Sequence, residues 1–154
     1  MIKTLTIAAL AVFLTGCSIT QSVVPVGPDK DIEKIYVENN PDVHMKELVN
    51  ELVIQIKENG IDAEIFEKGG KPVSAKHTMR FTANWAWDMA MYLTYFKATL
   101  YEGGEVIGQV EYNAKSGGAN MNKFGRTRDK IQPLLQELLA SAGTPEKIGV
   151  IGVE

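Results

Sequence analysis

Apolar positions recur along the chain with two periods, and each switch between them marks a boundary. Residues 34–38 alternate and carry Ile35, Tyr36 and Val37, which predicts a strand. Asn39-Asn40-Pro41-Asp42 then supplies a helix start, with Asn40 as N-cap and Pro41 at the first helical position. Beyond it Met45, Leu48, Val49, Leu52, Val53 and Ile56 fall on one stripe of an amphipathic helix. Asn59-Gly60 stops that helix, because Gly60 suits a left-handed C′ position. Residues 61–67 predict a second strand, and a strand–helix–strand unit favours a right-handed crossover between parallel strands. After the break at Gly69-Gly70-Lys71-Pro72, residues 77–86, 91–102 and 106–112 predict three more strands. Their short connections imply an antiparallel meander. A last helix is expected over residues 122–140, with Ile131, Leu134, Leu135, Leu138 and Leu139 inward. Pro133 removes a backbone donor there and predicts a kink or a late start.

The side chains also predict register around Gly103-Gly104. A two-residue loop of Gly103 and Gly104 would pair Glu102 with Glu105, set Lys97 opposite Val110 and mix polar and apolar residues on both faces. A three-residue loop, Gly103-Gly104-Glu105, sets Phe96 opposite Tyr112, Ala98 opposite Val110 and Leu100 opposite Gly108. Lys97 then meets Glu111, and Thr99 meets Gln109, on the other face.

The expected fold is therefore α+β with an α/β-like start. Its order is β-α-β-β-β-β-α, a mixed sheet with an antiparallel meander packed by two helices. Over residues 32–140 this order resembles small envelope lipoproteins related to the curli secretion lipoprotein, and the N-terminal domain of the Tol translocation protein. Likeness of element order implies a fold and no activity.

The N-terminus follows a different pattern. Lys3 precedes an almost unbroken apolar run from Leu5 to Leu14, the layout of a secretory signal. The run is too short for a spanning helix, which needs about 20 apolar residues. Leu14-Thr15-Gly16-Cys17 resembles the lipobox of bacterial lipoproteins. The resemblance implies that Cys17 becomes the N-terminus and carries diacylglyceryl and palmitate-type acyl chains. Ser18 in place of an aspartate implies the outer membrane, facing the periplasm. The expected organisation is a signal over residues 1–16, a lipidated tether over 17–31, a globular domain over 32–142 and a tail over 143–154. The tether residues include Pro25, Gly27 and Pro28 and would reach on the order of 45 Å when fully stretched.

Composition narrows the function. The net charge of −3 becomes −4 when Lys3 leaves with the signal, which gives no electrostatic case for binding nucleic acid. Cys17 is the single cysteine, so no intramolecular disulfide can form. His44 and His77 lack metal-ligand spacing, and no GxSxG, HExxH or Walker loop is present; no metal or cofactor is expected.

Three features remain as candidates for contact or chemistry. Trp85 and Trp87 share a strand face, either as core or as an exposed platform for a partner. Lys123, Arg126, Arg128 and Lys130 gather at the entry to the last helix, where its dipole disfavours them, so a solvated face competes with contact to lipid or an acidic partner. Asp88 lies within the aromatic stretch, where such surroundings can raise a carboxyl pKa. The leading expectation is a non-enzymatic accessory protein, anchored by lipid and binding an envelope protein or cell-wall component. The alternatives are an envelope hydrolase using Asp88 and neighbouring polar groups, and a purely structural lipoprotein.

Overall fold

In the computed structural model, which describes residues 19–116 and 118–142, the strands form one mixed sheet. They are β1 (Thr20–Val24), β2 (Lys34–Asn39), β3 (Asp62–Glu67), β4 (His77–Asp88), β5 (Ala90–Glu102) and β6 (Glu105–Asn113). Helix α1 (Leu48–Glu58) connects β2 to β3. Helix α2 (Thr127–Leu139) follows β6 after a 3-10 turn, Met121–Lys123. The spatial order is β1-β6-β5-β4-β2-β3. Strand β2 runs parallel to β3 and β4, while β4, β5 and β6 form the antiparallel meander. The expected α+β architecture is present from β2 onward.

The N-terminal correction is β1. Within the expected tether, the described residues 19–31 pack onto the domain: Thr20–Val24 pairs antiparallel with β6, Thr20 opposite Asn113 and Val24 opposite Gln109. Val26 and Ile32 are buried in the core. Their backbone N–H groups donate to Leu138 O at 2.9 Å and to Ala142 O at 3.4 Å. As an edge strand β1 keeps most side chains in solvent, so it lacks the alternation that would have announced it.

Helix α1 starts later than Asn40-Pro41 suggests. Asn40 instead donates from Nδ2 to Phe81 O at 2.9 Å and accepts from Asp42 N at 3.0 Å, an Asx turn tying the connection to β4. Met45 is therefore exposed and outside the helix, Val53 is half-buried, and the buried stripe is Leu48, Val49, Leu52, Gln55 and Ile56. Helix α2 starts at Thr127, five residues later than expected, but it carries Pro133 in its interior, so the proline does not set that start; the helix buries the five residues expected of it. Both helices cover a core centred on Ile35, Met79, Leu93, Phe96, Leu100 and Tyr112.

The β5–β6 register is the expected one, from Phe96 opposite Tyr112 to Leu100 opposite Gly108. Its origin differs. Glu102 pairs with Glu105, so the loop is two residues, and a bulge leaves Ile107 as the extra residue between Val106 and Gly108. Gly103 and Gly104 adopt φ of 58° and 96°, which the strand twist favours and glycine tolerates. The bulge then restores the face that a regular two-residue hairpin would have scrambled.

Candidate interaction surface

Strands β4 and β5 outgrow the rest of the sheet. Strand β6 ends at Asn113, opposite Tyr95, and β2 pairs β4 only as far as Met79. Beyond the Asn84–Tyr95 pair, residues 85–94 run on as a two-stranded ribbon. A bulge at its base leaves Thr94 unpaired in register; its Oγ1 donates to Asn84 O at 3.0 Å, and Thr94 O accepts from Ala114 N at 2.8 Å. The ribbon turns at Met89, a non-glycine residue held at φ 61°.

The two tryptophans have different environments. Trp85 is half-buried against the core, and its Nε1 donates to Thr127 Oγ1 at 3.1 Å, which joins the ribbon to α2. It also lines a cleft of about 250 Å³ with Met45, Leu48, Glu51 and Arg128. Trp87 stands directly across from Met91, and the two are 73% and 52% exposed. Met89 at the turn is 82% exposed, and Met121 in the 3-10 turn is 70% exposed.

Lys123 connects that 3-10 turn to the ribbon. Its Nζ donates to Asp88 Oδ2 at 2.5 Å and to Gly118 O at 2.6 Å. The ammonium also lies 5.1 Å from the Tyr92 ring centre and 5.2 Å from that of Phe124. Those two rings meet edge to face at 5.6 Å. Asp88 is thus engaged by an ammonium. Lys123 is 5% exposed and serves the interior of this junction.

The other cations expected beside it point to separate partners. Arg128 grips α1 through Glu51 at 2.6 Å and Glu58 at 2.8 Å. Arg126 pairs with Asp129 through two bonds of 3.0 and 3.1 Å. Lys130 donates to Tyr112 Oη, Asn122 O and Lys123 O, and burial pushes its pKa down. The four cations therefore brace α2 and its entry instead of forming one outward patch.

At the opposite end of the sheet Glu102 collects three donors: Lys30 at 2.5 Å, Lys76 at 3.2 Å and His77 at 3.2 Å. The Lys30 bond, then that of Lys76, lowers its pKa to about 2. His77 is buried in this network and His44 is exposed. Among the described residues no three potential metal ligands converge. Cys17 and residues 143–154 lie outside the described residues.

The fold defines an α+β domain with a mixed sheet covered by two helices. No family model and no curated protein matches the chain. Among solved structures, the PelC dodecamer from Paraburkholderia phytofirmans is similar, at 11% identity and a TM-score of 0.55, covering 82% of this chain and 100% of that one. A singly substituted PelC dodecamer from the same organism gives 10% identity and a TM-score of 0.55, covering 84% and 100%. At this identity the likeness is one of fold.

Proposed function

We propose that the protein is a lipid-anchored accessory protein of the outer membrane, facing the periplasm, without enzymatic activity. It presents the ribbon of β4 and β5 to another component of the envelope. The observation carrying this reading is the exposed apolar end formed by Trp87, Met89 and Met91. Large apolar side chains concentrated at one exposed place mark contact surfaces more often than scattered ones do. The anchor is supported by the signal-like start and by Leu14-Thr15-Gly16-Cys17. Acyl chains add about 0.8 kcal/mol per buried CH₂, so more than one chain on Cys17 holds the protein stably at a bilayer.

Expression with an alkynyl fatty acid tests the anchor. The wild type is expected to carry label and acyl mass on Cys17 and to sediment with membranes. Cys17→Ser is expected to lose both, because the modification needs the sulfur. Equal partitioning of the two forms, with no acyl mass on the wild type, defeats the proposal.

A further inference from the structure

Strand β1 begins at the end of the sheet from which the ribbon projects. Thr20 opens β1 opposite Asn113, which faces Tyr95, which faces Asn84. These four residues form one row across β1, β6, β5 and β4. From that row the ribbon continues outward for five residues to Met89, a rise of roughly 15 Å in extended chain. Cys17 precedes Thr20 by three residues, a separation that can span no more than about 10 Å. The C-terminal end of α2 lies at the opposite end, where Val26 and Ile32 bond to Leu138 and Ala142.

From this geometry we infer that the tip of the ribbon, Trp87, Met89 and Met91, inserts into the phospholipid interface beside the acylated Cys17. The inference rests on the lipid-anchor reading and names the envelope component that the ribbon meets. An anchor of this reach holds Thr20, the β1 end of the row, within about 10 Å of the headgroups, too near for a folded partner between them. A ribbon that projects from the same row farther than the anchor reaches is thereby brought to the bilayer.

Its chemistry suits that position. Between Arg80 and Lys97 the one charged side chain is Asp88, and Lys123 neutralises it. Tryptophan is favoured at membrane interfaces, where its apolar ring and its N–H meet different surroundings. Methionine packs without demanding a fixed shape. An isolated two-stranded hairpin is marginal in water, and an apolar environment around its tip would support it.

Fluorescence of the acylated chain in phosphatidylethanolamine–phosphatidylglycerol vesicles containing acyl-brominated lipid tests the inference. The sequence has two tryptophans, so Trp85→Phe isolates Trp87 and Trp87→Phe isolates Trp85. Trp87 is expected to be quenched by roughly two- to threefold, with Trp85 spared. Adding Met89→Asp to the Trp85→Phe chain is expected to reduce that quenching while acylation stays complete. Unquenched Trp87 in vesicle-bound, acylated protein overturns the inference and leaves the anchor standing. Missing acyl mass defeats the anchor, and Trp87 quenching in that sample still supports insertion while its absence overturns it. A concentration-dependent blue shift of Trp87 without lipid assigns the tip to a second copy of the chain and also overturns it.

Discussion

Trp85 and Trp87 are two positions apart, yet the end of the surrounding sheet separates their roles. Trp85 still has α2 beside it and a hydrogen bond from its indole to Thr127. Trp87 lies past that cover. Their placement on one strand face was legible in the sequence, because a strand alternates strictly. Where the neighbouring strands stop was not legible, because that depends on the length of β6 and the pairing of β2. Truncation to alanine should therefore separate the two residues. Trp85→Ala is expected to cost about 2 kcal/mol, below the 3–5 kcal/mol of fully buried aromatic truncations. Trp87→Ala is expected to stay within about 0.5 kcal/mol, as exposed substitutions do. Denaturant unfolding of both variants measures the contrast, and equal losses would contradict the environments described here.

At the scale of elements, legibility followed side-chain burial. Helix α2 and strands β2 to β6 carry apolar patterns of the right period, so the mixed sheet could be read in advance. Strand β1 is held by backbone bonds to β6 and left no comparable trace. Helix α1 does not start at Asn40, a good N-cap by type, because Asn40 uses its side chain on Phe81 O and Asp42 N. The ion pairs that scatter the basic cluster were also invisible, since Arg128 meets Glu51 and Glu58 only after α1 and α2 have packed. One glycine shows how closely the elements fit. A Cβ on Gly108 would lie 2.7 Å from Leu138 Cδ1, 3.0 Å from Val26 Cγ2 and 3.3 Å from Val24 O. Strand β6, the exit of β1 and helix α2 thus converge on a position with no room for a methyl group. Gly108→Ala is expected to destabilise the fold by about 1–3 kcal/mol through overpacking. A midpoint in urea equal to that of the wild type would show that α2 can move aside without loss.

Over the whole molecule the two ends of the sheet have opposite characters. One carries the apolar ribbon, with Asp88 as its paired charge; the other gathers Lys30, Lys76, His77 and Glu102. The second cluster joins three separate stretches of chain: the β1–β2 connection, the approach to β4 and the end of β5. Among the three donors Lys30 contributes most to holding Glu102 ionised, and its own pKa rises in return. The Glu102 pKa falls from 4.5 to about 2 on folding, so the ionised carboxylate favours the folded state. That contribution is fully present above pH 4.5 and is lost as the pH falls through about 2. Glu102→Gln removes the titration and most of the attraction to Lys30 and Lys76. At pH 7 the variant is therefore expected to melt below the wild type. The gap should narrow as the pH falls below 4.5 and be nearly closed by about 2, where the Glu102 carboxyl is itself becoming neutral. Thermal unfolding of the two proteins across this range, at one ionic strength, follows the gap directly. A gap that stays constant from pH 7 to 2 would show that Glu102 acts through packing, with its charge unimportant to the fold.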